Sequence, residues 1–296
     1  MSNRLRRVLI ATDSTGWQGE QLSKAFEQRG VQVLFVSLRD CRFDTTLPSG
    51  LSIPGFEHEL PRGVFVRQVP GGTLEQVVLR LDFLHALKEA GVSVYNDGRA
   101  IERTVDKAMT TWLLHRAGVP TPPAWVAESA DQARNVVELE TKAGYELVVK
   151  PLFGSQGKGL MRVRNAQELP APERFAGVYY LQRFLPPGQE GFRDWRVLVI
   201  GGRAVAAMER QGADWISNVA QGAKCVAVPA VGPLAELALA ACAAIKIDYA
   251  GVDLMRHPDS ELQVIEVNGI PAWQGLQSVC EFNIAQRLVA DFLNRC

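Results

Sequence analysis

Up to about residue 95, short apolar runs alternate with stripes of helical period. Arg7-Val-Leu-Ile-Ala11 reads as a buried strand, and Leu22, Ala25 and Phe26 mark one face of a helix over Gln18–Arg29 that Gly30 stops. Val31–Val36 and Val64–Val66 predict further strands, and Val92–Tyr95 closes the unit. Between them, Leu74, Val77, Val78, Leu81, Leu84 and Leu87 predict an amphipathic helix ending at Gly91. Strands separated by helices imply a parallel, right-handed βαβ arrangement. The polar stretch 43–61, with its prolines and glycines, reads as one long loop. Two loops fall beyond the carboxyl ends of strands, where such sheets bind ligands: Asp13–Gly19 and Arg67–Thr73. The second opens the long helix, so it is either a plain helix entry or a seat for an anion such as a substrate carboxylate.

Further along, the pattern turns to hairpins. Gly251–Met255 and Leu262–Val267 flank a polar turn with Pro258, Asp259 and Ser260. Alternation puts Glu266 and Asn268 on one face of the second strand, and Asp253 can face the same side. Two carboxylates and an amide oxygen make a hard-oxygen cluster suited to Mg²⁺. A solvated hairpin explains the spacing alone, but Glu266 sits within Val-Ile-Glu-Val-Asn, where a lone carboxylate is costly to bury. Phe192–Ile200 places Asp194 and Arg196 on one face and returns through Gly201-Gly202 into Ala204–Arg210. Either arginine, 196 or 210, could be a structural ion pair or an anion ligand. Glu146–Lys150 is a strand that delivers Lys150 into a loop with glycines at 154, 157 and 159. Such a loop is either a hairpin tip or a cradle of backbone N–H groups for phosphate. Two helices, Pro233–Lys246 and Gln277–Leu293, finish the chain, the last carrying Val279, Phe282, Ile284, Leu288 and Phe292.

Composition narrows the class of function. A chain of 296 residues, 47% hydrophobic, exceeds what one small core needs and implies more than one domain. Lysine plus arginine equal aspartate plus glutamate at 32 each, so no basic field points to nucleic acid. No apolar run reaches membrane-spanning length, and none at the start resembles a signal segment. The five cysteines lack paired spacing and read as reduced thiols, which fits the cytoplasm. Self-association is left open.

The motifs then fall into a known order. Ala250-Gly-Val-Asp-Leu-Met255 with Val264-Ile-Glu-Val-Asn-Gly-Ile-Pro271, preceded by Asp106-Lys107, by Lys150 with its glycine loop, and by Asp194-x-Arg196, resembles the ATP-grasp superfamily and within it the RimK-like amino-acid ligases. The likeness runs from about Asn96 to the C-terminus. It implies an α/β (α+β) fold: a pre-ATP-grasp parallel-sheet domain over 1–97, a small lobe with a Gly-rich lid over 98–183, and a large lobe with the metal site over 184–296. It implies ATP and two Mg²⁺, with Mn²⁺ an acceptable replacement, and small-molecule carboxylate and amine substrates joined through an acyl phosphate. By the same resemblance Asp253, Glu266 and Asn268 are metal ligands, and Lys107 and Lys150 reach phosphates. Gly154, Ser155, Gln156 and Gly157 form the phosphate loop, and Gln182, Arg183, Phe184 and Leu185 meet adenine through their backbone. Asp194 or Glu190 serves the ribose, while Arg196, Arg210 and Asn218 hold the reacting phosphoryl and acyl groups. Arg183 departs from relatives, which commonly carry an acid there. Gly269–Gln277, with Trp273, resembles ligases of tetrahydromethanopterin-type cofactor pathways, some of which add glutamate.

Overall fold

A computed structural model describes residues 7–154, 157–188, 191–212, 214–215, 222–256 and 262–296. Its first unit is built on a parallel sheet. Strand β1 (Arg7–Ala11) is followed by α1 (Gly16–Glu27), β2 (Gln32–Val36), β3 (Arg42–Phe43), β4 (Leu51–Ser52), β5 (Gly63–Val66), α2 (Leu74–Glu89), β6 (Ser93–Tyr95) and α3 (Gly98–Val105). The order β2-β1-β5-β6 puts β1 inside, and its Val8, Leu9, Ile10 and Ala11 are at most 1% exposed, as a two-sided parallel strand requires. Residues 43–61 are not one loop: β3 and β4 pair as a short antiparallel hairpin.

Helix α2 starts at a capping box, with the Thr73 hydroxyl accepting from Gln76 N–H and the Gln76 side chain accepting from Thr73 N–H. Its buried stripe differs from the expected one. Arg80, Phe83, Leu84 and Leu87 face the core, whereas Leu74 is 77% exposed and Val78 is also exposed. The apolar stripe in the sequence is longer than the face that is buried.

The second unit begins within α3 and continues through α4 (Lys107–Arg116), β7 (Ala124–Ala127), α5 (Ala130–Lys142), β8 (Leu147–Lys150), β9 (Met161–Val163), β10 (Tyr179–Arg183), β11 (Phe192–Ile200), β12 (Arg203–Gly212), β13 (Lys224–Val228), α6 (Gly232–Ile245), β14 (Tyr249–Arg256) and β15 (Leu262–Asn268). Two antiparallel sheets result, ordered β7-β10-β8-β9 and β13-β12-β11-β14-β15. Helix α5 covers the first, with Ala133 and Val137 packed among Leu147, Val149, Val163, Tyr179 and Leu181. Helix α6 covers the second and lies against β11 and β15. Its buried face is mostly alanine (Ala235, Ala238, Ala241), so helix and sheet approach closely. The β14–β15 register sets Asp253 opposite Glu266, with a bulge between Asp253 and Leu254.

After β15 the chain returns to the first unit with α7 (Gln274–Gln277) and α8 (Ile284–Leu293). The expected single helix over Gln277–Leu293 is therefore two. Asn283 caps α8 by accepting from Gln286 N–H, and the Gln277 side chain ties the break by donating to Phe282 O and accepting from Ile284 N–H. The first unit comprises residues 1–102, 247–250 and 269–296, so 269–296 group with the N-terminal sheet and not with the large lobe that the sequence suggested. Phe292 meets Phe26, Phe65 and Tyr95 at centroid distances of 5.6, 5.7 and 5.7 Å, and Tyr95 stacks on Tyr249 at 4.7 Å. Buried Asn96 donates to Tyr249 O (2.7 Å) and Gly269 O (2.6 Å) and accepts from Asp248 and Tyr249 N–H. Among the described residues, no helix is long and apolar enough to cross a membrane.

Candidate active site

The site of the second unit is assembled on the face of β11, β12, β14 and β15. Every second residue of a strand faces one way, so Asp194 and Arg196 of β11, Arg210 of β12, Asp253 of β14, and Glu266 and Asn268 of β15 share a surface. Arg196 forks onto Asp253, Nε to Oδ1 at 2.7 Å and Nη2 to Oδ2 at 2.6 Å. Arg210 Nη2 adds a contact to Asp253 Oδ1 at 3.1 Å, and its Nε donates to Asp194. Asn268 Nδ2 donates to Asp253 Oδ2 and to Gly251 O, both at 3.3 Å. Asp253 thus receives four donors, about the full acceptor capacity of a carboxylate.

That saturation refines the expected metal set. Asp253 can ligate a cation when one of these donors yields its oxygen. Glu266 is more open, since no ion pair to it occurs among the described residues, and the two acceptors that hold Asn268 Nδ2 turn its Oδ1 away from them. The donors are all oxygen, which fits Mg²⁺ or Mn²⁺. Asp194, expected at a ribose, is instead engaged by Arg210; its alternative Glu190 lies outside the described residues, as do Ser155, Gln156 and Asn218.

Two lysines face Glu266. Asp106 caps α4 by accepting from Met109 N–H, which sets Lys107 at the first helical position. Lys107 Nζ donates to Leu152 O (3.4 Å) and Gly154 O (2.9 Å), so it holds the start of the glycine loop. Within that loop Gly157 and Gly159 have φ of +69° and +76°, and a Cβ on Gly159 would come 2.9 Å from Pro151 Cγ. Gly154 is different, because a Cβ there would meet Pro151 only at ordinary contact distance. Lys150 leaves β8 to donate to Gln182 Oε1 at 2.6 Å.

Burial lowers the Lys150 ammonium to about 8, against the attraction of Glu266 and with the repulsion of Lys107. Burial also lowers Lys107, against Glu266 and Asp106. Glu266 is raised by burial and by Asp253, with the lysines and Arg196 opposing. Asp253 goes the other way: burial would raise it, but Arg196 and Arg210 outweigh burial and hold it below the usual carboxylate range. Lys107, Lys150, Arg196 and Arg210 gather here with Asp194, Asp253 and Glu266, and Asp106 lies beside Lys107, so the cations are matched one for one by carboxylates.

The expected adenine strand ends beside Lys150. Gln182 is 2% exposed and its Nε2 has no partner, an orphan donor that a bound nucleotide can take. The N–H groups of Arg183 and Phe184 are engaged by Pro123 O and Glu146 O, so neither is open to a base. The Arg183 side chain is occupied too, forked onto Glu140 at 2.5 and 3.2 Å with its guanidinium 3.8 Å from the Tyr145 ring centroid. This pair gives the arginine at 183 a structural role. Phe184 lies between the Arg162 guanidinium, 4.0 Å from its centroid, and Trp215, while Leu185 is buried. Sequence reading missed Glu140, Tyr145 and the Thr111–Tyr180 hydroxyl contact of 2.6 Å, because each joins residues distant in the chain with no local motif.

A glycine loop held by a lysine, a two-sheet body and a carboxylate hairpin are the features of an ATP-grasp fold. A family model described as a RimK-like ATP-grasp domain matches residues 104–292, and the chain belongs to that family. It is 35% identical over 236 residues, 78% of each chain, to the tetrahydromethanopterin:alpha-L-glutamate ligase of Methanococcus maripaludis. Its fold is similar to that of the ATP-grasp ligase PsnB complexed with a minimal precursor (TM-score 0.76, 18% identity, 99% of both chains). PsnB complexed with minimal precursor, Mg and ADP superposes with a TM-score of 0.72 at 18% identity over 98% of both chains. The protein is thus an ATP-dependent ligase that forms a C–N bond.

Proposed function

We propose that this ligase joins a carboxylate to the amine of an amino acid, glutamate foremost, through an acyl phosphate, with release of ADP and phosphate. The observation that carries this reading is Lys107 and Lys150 facing Glu266 on the surface where Arg196, Arg210 and Asp253 meet. Here the side chains position and neutralise. Lys107, Lys150 and the Gly154–Gly157 backbone hold phosphates, Gln182–Leu185 border adenine, and Arg196, Arg210 and Asn218 hold charge as it moves onto the phosphoryl and acyl oxygens. Two Mg²⁺ held by Asp253, Glu266 and Asn268 supply charge neutralisation at the phosphates. The setting is the cytoplasm. Glutamate is the first amine because the relative from Methanococcus maripaludis is named for it.

The test is ADP release across a matrix of acids and amino acids, followed by oxygen-18 tracing with the acid that works. An acyl phosphate transfers one carboxylate label into released phosphate. Label in AMP, label-free phosphate during amide formation, or a phosphorylated hydroxyl product each removes the reading.

A further inference from the structure

In the first unit, β1 has β2 on one side and β5 on the other, so the chain leaves β1 and β5 in opposite directions, the arrangement at whose carboxyl edge such sheets bind ligands. The loops are held. Asp13 N–H donates to Gln68 Oε1 and Gln68 Nε2 donates to Asp13 Oδ2, both at 3.3 Å, while the Ser37 hydroxyl donates to Asp13 at 2.6 Å. Buried Arg80 donates to Pro70 O (2.8 Å) and Gly71 O (2.9 Å), fixing the segment between Arg67 and α2. On this support the Arg67 guanidinium lies 4.6 Å from the ring centroid of Trp273, whose other neighbour is Trp17 at 6.3 Å.

Two atoms of this stack lack partners. Trp273 is 1% exposed and its Nε1 donates to nothing; Arg67 Nη1 is likewise buried and unbonded. Indole and guanidinium nitrogens are donors only, so neither can satisfy the other. Leaving a buried donor unpaired is costly, and more so when it is charged. An acceptor brought by a ligand removes that cost at both atoms.

We propose that Arg67 and Trp273 form a carboxylate-recognition site that takes the non-reacting carboxylate of a substrate, one oxygen toward Arg67 Nη1 and the other toward Trp273 Nε1. One guanidinium balances one negative charge, which suits a carboxylate and not a phosphate dianion, and the Trp17 and Trp273 rings give the site apolar walls. Assigning the carboxylate to a substrate rests on the ligase reading above. Its source is either the α-carboxylate of the amino-acid amine or a second carboxylate of the acid.

The experiment is calorimetric binding to the full-length protein, with and without Mg²⁺ and a non-hydrolysable ATP analogue, so it is independent of turnover. Probes are L-glutamate, L-glutamine, L-isoglutamine and succinate. Arg67→Gln removes the charge, and Trp273→Phe keeps a ring but removes the N–H. L-Glutamate affinity is expected to fall at least tenfold in Arg67→Gln and severalfold in Trp273→Phe, with nucleotide affinity and melting temperature kept. Loss of isoglutamine binding with glutamine retained assigns the α-carboxylate. Succinate binding that depends on Arg67, with glutamate indifferent to it, assigns the acid substrate. The site is overturned if no probe binds the wild type, if both variants bind as the wild type does and a bridging water alone fills the site, or if both melt far below it. Failure of amide formation with these binding effects intact would remove the ligase reading and leave the site standing.

Discussion

Arg196 grips Asp253 through both of its forked nitrogens, at 2.7 and 2.6 Å, and Arg210 leans on the same carboxylate from the neighbouring strand. Both guanidinium groups and Asp253 are largely withdrawn from water, so removing the shared anion strands the buried Arg196 cation and leaves Arg210 with Asp194 alone. Asp253→Asn is therefore expected to destabilise the second unit by about 3–5 kcal/mol, in the range measured when one partner of a buried pair is removed. Urea unfolding of the purified variant, compared with the wild type, reads this directly. A loss below about 1 kcal/mol would mean the pair is as weak as a surface one.

Lys150 supplies a pH dependence. Its free-protein value is about 8, below the ordinary lysine value because burial disfavours the cation. A phosphate favours the protonated form, so above about pH 8 the protein must take up a proton to bind nucleotide. The dissociation constant for MgATP is expected to weaken by up to about tenfold per pH unit there. Arginine stays charged throughout, so Lys150→Arg should flatten that limb even if its absolute affinity suffers.

Glu266→Gln should leave the fold intact yet lower Mg²⁺-dependent turnover on the order of 100-fold, because a neutral amide is a poorer ligand for a hard cation. Titration of turnover with Mg²⁺ checks it. Near-normal rates at limiting Mg²⁺ would take Glu266 out of the metal set.

Arg183→Ala separates support from chemistry. Glu140 and Tyr145 occupy the side chain, and the pair is partly exposed, so the expected cost is about 1 kcal/mol of stability with nucleotide affinity unchanged. Calorimetric ATP binding beside a denaturation curve decides this. A large loss of affinity would return Arg183 to the nucleotide site.

Gly159→Ala tests the loop. A left-handed φ costs a non-glycine residue roughly 1–2 kcal/mol, and the added Cβ meets Pro151 Cγ at 2.9 Å. ATP affinity should fall in this variant, while Gly154→Ala, which meets only ordinary contacts, should bind nearly as the wild type does.

Local pattern carried a good deal of this structure. The β1 run, the β14–β15 hairpin and the juxtaposition of Asp253 with Glu266 follow from period-2 alternation, and α2 from its apolar stripe. What local pattern could not carry was set by partners elsewhere. Leu74 and Val78 look like core residues on a helical wheel, yet they stand exposed, and buried Arg80 takes a place that periodicity would give to an apolar side chain. The break before α8 depends on Gln277 reaching Phe282 and Ile284, a side-chain tie that composition does not reveal. Asp253 was legible as an anion facing a site, but its saturation by two arginines needs the β11–β14 and β11–β12 adjacencies, which only the sheet order supplies. Arg67 and Trp273 were noticed separately; nothing in a linear chain says they stack.

The contact of Phe292 with Phe26, Phe65 and Tyr95 bears on how the protein is made. A ribosome delivers β1, α1 and β5 long before α8. Until α8 has emerged, the aromatic side chains of the N-terminal sheet lack the ring that closes them, and until the residues before it emerge Asn96 lacks the carbonyls of Tyr249 and Gly269 to which it donates. The unit that starts first is therefore among the last to finish, and a nascent chain stalled before α8 presents an open aromatic surface for chaperones or for aggregation.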